Sequence, residues 1–221
     1  MKYFLVICFV EYVLFSCLDA LKYECPEPVD IYPCYCEEED GDPWVFCNHL
    51  TQPEQLYEGF KGLKDYKIYR MSFFMNWILD PIKANAFDGL TVERLIFENS
   101  TITLNAPHFQ GLEQLYSIQL RAIFNKTNPI IPLELNQHRN LREILFEKNK
   151  VTTLPNNWLK SAPDSLRSIT VEGNTIVSME DEVFAKIRQL TFLILEANRI
   201  VIIKRSMFPR PATSLRSLNL K

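Results

Sequence analysis

Residues 141–159, LREILFEKNKVTTLPNNWL, place apolar side chains at Leu141, Ile144, Phe146, Val151, Leu154 and Trp158, at steps of 3, 2, 5, 3 and 4. That spacing suits neither a helix, with its period of about 3.6, nor the two-residue alternation of a strand. A polar residue, Asn149, is set into the run. The rhythm returns in LRSITVEGNTIVSMEDEVF (166–184), through Leu166, Ile169, Val171, Asn174, Ile176, Met179 and Phe184. It returns again in LTFLILEANRIVIIKRSMF (190–208), through Leu190, Leu193, Leu195, Asn198, Ile200, Ile203 and Phe208. The three starts lie 25 (166 − 141) and 24 (190 − 166) residues apart.

LxxLxLxxNxL followed by an aromatic is the leucine-rich repeat pattern, whose unit spans roughly 20–29 residues. Its LxL core predicts a short strand with two side chains pointing inward, after which the chain turns around the asparagine. One coil cannot cover its own apolar face, so coils stack around a shared core. Asn149, Asn174 and Asn198 are accordingly scaffold, each a side chain inside the turn that hydrogen-bonds backbone groups the irregular chain leaves unpaired. Degenerate copies precede these three. LYSIQLRAI (115–123) has Ile123 at the asparagine position, VERLIFENSTI (92–102) has Ser100, and YKIYRMSFF (66–74) has Phe74. A last copy begins at Leu215. The seven starts 66, 92, 115, 141, 166, 190 and 215 are 26, 23, 26, 25, 24 and 25 apart. The predicted fold is an α/β-type leucine-rich repeat solenoid, with a curved parallel sheet on the concave face and irregular or short helical segments on the convex side. About six repeats plus a truncated last one fill residues 63–221. Within them, Pro129 and Pro132 in NKTNPIIPLEL predict a rigid extended loop on the convex side.

Composition narrows the partners. Hydrophobic residues make up 47% of the 221-residue chain, enough for a large core. The net charge is only −3 and basic residues form no block, which argues against nucleic acid. The acidic run CEEEDGD reads as a solvated loop rather than a cation site. Residues 1–20, MKYFLVICFVEYVLFSCLDA, read as a secretory signal peptide. The stretch is short and interrupted by Glu11, which fits a membrane anchor less well. No other stretch could cross a bilayer, so a secreted, extracellular chain without a membrane span is expected.

Loss of that segment removes Cys8 and Cys17 and leaves Cys25, Cys34, Cys36 and Cys47 in residues 21–62. An even number of cysteines in a small exported segment predicts two disulfides, and the spacing lacks the paired CxxC knuckles of a zinc site. Spacing alone leaves three connectivities open. The first coil of a solenoid needs a cover over its core edge, and a segment this small needs staples, so 21–62 is the predicted cap.

The motif C-P…P-C-x-C…V-x-C directly ahead of these repeats resembles the cysteine-rich N-terminal cap of extracellular animal leucine-rich repeat proteins. More narrowly, CPEPVDIYPCYC is similar to secreted arthropod proteins of the kind that includes the non-catalytic, leucine-rich repeat subunit of shrimp luciferin monooxygenase. Cap and repeats together cover about residues 23–221. The resemblance implies the pairs Cys25–Cys36 and Cys34–Cys47. No GxSxG, HExxH, phosphate-binding loop or dinucleotide fingerprint occurs. His49, His108 and His138 have no acid or nucleophile at a recognisable spacing and read as surface residues. No catalytic residue, cofactor or metal ligand is assigned. The expected function is a secreted, non-catalytic binding module presenting its concave face to a protein partner. The alternative, which the resemblance implies, is a structural accessory subunit that stabilises an associated secreted enzyme.

Counting from the first residue of each ladder, positions 5 and 7 face outward from the sheet. Position 5 holds Ile96, Leu145 and Ile194 among Arg70, Gln119, Thr170 and Asn219. Position 7 holds Glu98, Arg121, Glu147, Glu172 and Glu196, with Glu147, Glu172 and Glu196 forming a column of like charge. That column, with Phe192, Ile194 and Leu145 beside it, is the expected partner stripe, acidic enough to steer a basic partner. NST at Asn99 and NKT at Asn125 are glycan acceptor sequons in turns after strands. LRSLNLK stops partway through a repeat, which predicts that the chain is a fragment, since an open end would bare strand and core edges.

Overall fold

Each apolar ladder forms one short strand, and the strands stack side by side. The computed structural model describes residues 20–78, 81–101, 103, 108–123, 133–159 and 161–221. The expected signal peptide up to residue 19, the Asn125 sequon and the Pro129 and Pro132 loop lie outside the described residues. In chain order the elements are β1 (Tyr35–Glu39), β2 (Asp42–Asn48), α1 (Pro53–Phe60), β3 (Lys67–Phe74), β4 (Thr91–Glu98) and β5 (Ser117–Arg121). They continue with β6 (Glu143–Glu147), β7 (Thr153–Leu154), β8 (Ser168–Thr170), β9 (Ser178–Met179), β10 (Phe192–Ile194) and β11 (Ser217–Asn219). Short 3-10 turns cover Lys61–Leu63 and Arg205–Met207.

Among the described residues, the main sheet has nine strands in the order β1-β2-β3-β4-β5-β6-β8-β10-β11. The β1–β2 hairpin is antiparallel and every later pair is parallel. Strands β7 and β9 form a second, two-stranded parallel sheet on the return side of the coils. The inward pairs Met71 and Phe73, Leu95 and Phe97, Ile118 and Leu120, Ile144 and Phe146, Ile169 and Val171, and Leu193 and Leu195 are all buried. Opposite them, aromatic side chains stack from coil to coil. Phe87 and Phe109 have ring centroids 6.0 Å apart, and Trp158, Phe184 and Phe208 follow one another at 6.4 Å per step. The fold is a leucine-rich repeat solenoid with a disulfide-bonded cap.

Within the cap, Cys25 is bonded to Cys36 and Cys34 to Cys47, so these cysteines are not zinc ligands. Helix α1 starts with Pro53 in its first turn, and Gln55 Oε1 accepts a hydrogen bond from the Gln52 N–H at 3.1 Å. Its buried residues Leu56 and Phe60 join Ile31 and Leu63 over the first coil. Gly59 is there for close approach, because a Cβ would lie 2.9 Å from the Ile31 carbonyl oxygen. Strand β2 pairs in parallel with β3, so the cap supplies a strand to the repeat sheet.

The pairing corrects the first ladder. Ile68, not Tyr66, is opposite Val92, so the first start moves to 68 and its spacing becomes 24 (92 − 68). The asparagine position of that coil is therefore Asn76 rather than Phe74. Asn76 is fully buried, donates from Nδ2 to the Cys47 carbonyl at 2.9 Å, and accepts from the Leu50 N–H at 2.7 Å. The same bonds recur along the column. Asn149 Nδ2 donates to Leu120 O (2.9 Å) while Oδ1 accepts from Ile123 N (2.7 Å), and Asn198 Nδ2 donates to Val171 O (2.7 Å). Ser100 stands in with its hydroxyl, which accepts from Asn76 N at 3.1 Å and donates to Glu98 O at 2.9 Å.

One residue before each of these, the chain turns through the left-handed region. Met75, Asn99, Ala122, Lys148, Gly173 and Ala197 have φ of 52°, 47°, 49°, 55°, 62° and 54°. Only Gly173 in this column takes that conformation without a Cβ penalty.

Two histidines also depart from expectation. His108 and His138 are buried, 4% and 1% exposed, while His49 is exposed. His138 sits three residues before its ladder start, in the place that Leu112 and Ile187 fill in other coils. Its Nδ1 can donate to the Leu112 carbonyl oxygen at 3.1 Å while its Nε2 accepts from Gln137 Nε2 at 3.0 Å, so the neutral ring is paired inside the core. Burial lowers the His108 pKa, against an opposing pull from Glu134.

Candidate functional site

The outward face of the main sheet gathers the expected partner residues into three columns. Pairing places Trp44, Arg70, Arg94, Ser117, Glu143 and Ser168 in one row, ending at Phe192 and Ser217. The next runs Phe46, Ser72, Ile96, Gln119, Leu145, Thr170, Ile194 and Asn219. Ser72 therefore holds the place that the expected register gave to Arg70. The third runs Asn48, Phe74, Glu98, Arg121 and Glu147 within strands. Glu172 and Glu196 extend it, since Lys148 N donates to Glu172 O and Gly173 N to Glu196 O.

These side chains differ in exposure. Phe192 is 47% exposed, Leu145 and Ile194 are half-buried, and Ile96 is only 8% exposed. Glu98, Glu147, Glu172 and Glu196 are half-buried. The acidic column is not uniform. Arg121 lies 3.5 Å from Glu98 and 3.8 Å from Glu147, one positive charge shared between two carboxylates, and Glu196 Oε2 accepts from Asn219 Nδ2 at 2.8 Å. Among the described residues, Glu172 alone of the four has a carboxylate without a side-chain partner. Asn99 lies in the turn directly after β4, half-buried, with its N–H donated to Arg121 O at 3.0 Å.

Toward the cap the face becomes aromatic and cationic. Arg94 lies between the Tyr69 and Tyr116 rings, 5.5 and 5.3 Å from their centroids, and reaches Glu143 at 3.4 Å. The Arg70 guanidinium lies over the Trp44 ring at 4.4 Å and donates from Nε to Ser72 Oγ at 3.3 Å. A cavity of about 290 Å³ opens beside it, with Phe46, Phe74 and Ile96 as apolar lining and Glu98 also in its wall. Tyr35 of β1 closes one side, stacked on Phe46 at 5.1 Å, with its hydroxyl accepting from Asn48 Nδ2 at 3.3 Å. Burial lowers the Arg70 pKa, while Glu39 and Glu98 oppose the shift. This corner could not be read from the ladders, because it needs the cap hairpin to join the sheet.

No group of His, Cys, Asp and Glu that could hold a metal ion occurs among the described residues, and no described helix is long and apolar enough to cross a membrane.

Comparison with known proteins agrees on the repeat. The leucine rich repeat family matches residues 139–200. No curated protein matches the chain. Among solved structures, a chain of the Toll–Spatzle complex, described as a molecular hub in Drosophila development and innate immunity, is 18% identical with a TM-score of 0.44. The match covers 70% of this chain and 23% of that one, so this chain spans under a quarter of its length.

Proposed function

We propose that the chain is a secreted, non-catalytic binding module whose concave sheet receives a protein partner. The observation that carries this reading is the composition of the outward columns. A rigid sheet holds Phe192, Ile194 and Leu145 at the surface beside half-buried charges, and such a mix of anchored apolar and charged groups is what a recognition face needs. The two disulfides support an oxidising, extracellular setting. The acidic column, above all Glu172, would steer a basic segment, and Phe192 with Ile194 would supply contact. Glycans on Asn99 and Asn125 belong to the same reading. An Asn99 glycan would stand at the rim of the sheet beside Glu98.

The test is association of the secreted protein with partners captured from extracellular fluid, comparing the wild type with Glu147→Lys plus Glu172→Lys. The reading requires slower association with an unchanged melting curve. Binding untouched by this pair but lost on altering the NPIIP segment (128–132) would move the site off the concave face.

A further inference from the structure

The cavity between the cap and the first repeats has an incomplete set of partners. Arg70 is half-buried, yet among the described residues no carboxylate lies within ion-pair distance of it. Its described contacts are the Trp44 face and the Ser72 hydroxyl, which leave the terminal guanidinium nitrogens without a described acceptor. A desolvated guanidinium gains most from a planar anion that two parallel N–H groups can grip. The apolar lining of Phe46, Phe74 and Ile96 lies in the same cavity. At about 290 Å³ the space is at or below the lower end for small-molecule sites, roughly 300–1,000 Å³, and suits one or two side chains better than a whole ligand.

We infer that this cavity is a docking site for a segment of a protein partner that carries a carboxylate beside an aromatic or aliphatic side chain. The carboxylate takes the open edge of Arg70, and the apolar side chain enters between Phe46, Phe74 and Ile96. Glu98, which also lines the cavity and is paired with Arg121, disfavours a second acid beside the first. The inference rests on the concave-face reading and deepens it. The cap end of the face, through Arg70, then selects acid, while Glu172 selects base farther along, which fixes the direction in which a partner lies.

The experiment is selection of a phage-displayed random peptide library on the immobilised full secreted protein, followed by affinity measurement of the enriched peptides. The expected result is a consensus pairing Asp, Glu or a free C-terminus with an aromatic or aliphatic residue. Arg70→Gln should weaken those peptides by about ten- to a hundredfold, the loss of one charged hydrogen-bonded pair. Phe74→Ala, which strips apolar lining and leaves Arg70 with its Trp44 and Ser72 contacts, should weaken the same peptides, and unchanged melting curves exclude misfolding in either variant. Peptides that respond to Glu172→Lys or Ile194→Asp but not to Arg70→Gln would overturn the cavity and keep the concave face. Peptides indifferent to all four substitutions, or no enrichment at all, would overturn the cavity and count against the concave face as well.

Discussion

Asn149 and Asn174 are joined across successive coils, the Asn149 N–H donating to Asn174 Oδ1 at 2.8 Å while Asn174 Nδ2 donates to the Phe146 carbonyl at 2.9 Å. Both groups are buried, so one side chain satisfies a donor and an acceptor that water cannot reach. Asn174→Ala should orphan both and cost roughly 2–6 kcal/mol, the sum of two buried unsatisfied groups. Denaturant unfolding measures this. A loss below about 1 kcal/mol, the size of one ordinary hydrogen bond, would mean that water replaces the amide.

The left-handed turns one residue before this column of positions predict the opposite sign. Ala122 and Ala197 adopt φ of 49° and 54°, which a Cβ makes costly. Ala122→Gly and Ala197→Gly should each stabilise by up to about 1 kcal/mol, after glycine's greater unfolded-state entropy is subtracted. Gly173→Val should destabilise, since its φ of 62° disfavours a β-branched side chain and a Cβ would come 3.3 Å from Lys148 Cγ. Thermal melts of the three variants give the signs directly.

The repeats between Leu141 and Phe208 were legible because each ladder keeps its leucines and its asparagine. The first repeat was misread by two residues, although Ile68, Met71, Phe73 and Asn76 fit LxxLxLxxN in register. Tyr66, Tyr69 and Met71 fit the LxxLxL spacing as well and offer a competing frame. His138 carried a usable signal too, standing three residues before Leu141 where Leu112 precedes Leu115. The Arg70–Trp44 contact carried none. It joins residues from a cap strand and a repeat strand whose register is set by the hairpin, not by any local period.

Burial lowers the His108 pKa below its ordinary value of 6.5, and its Nδ1 accepts from the Glu134 N–H at 3.4 Å. The unfolded chain therefore binds the proton more readily than the folded one. Stability should be fully present above pH 6.5 and fall as pH drops below it, until the folded histidine itself protonates. His108→Gln should flatten that part of the stability–pH curve. An unchanged slope between the variant and the wild type would remove His108 as its source.

The two disulfides should differ in weight. Cys34 and Cys47 are buried, and the Cys47 carbonyl receives the Asn76 amide, whereas Cys25 and Cys36 are half-buried at the edge. Replacing Cys34 and Cys47 with alanine should cost toward the upper end of about 2–5 kcal/mol, and replacing Cys25 and Cys36 toward the lower end. Equilibrium unfolding of the two double variants would show the order, and equal losses would contradict it.

The central claim is that the concave sheet is the partner face, and site-specific photo-cross-linking tests it most directly. p-Benzoylphenylalanine replaces Phe192 on the sheet in one version and Lys186 on the convex side in another, each exposed to extracellular fluid and then irradiated. The account predicts a discrete protein adduct from the Phe192 position that Glu172→Lys weakens, and none from Lys186. A discrete adduct from Lys186 with none from Phe192 would contradict it.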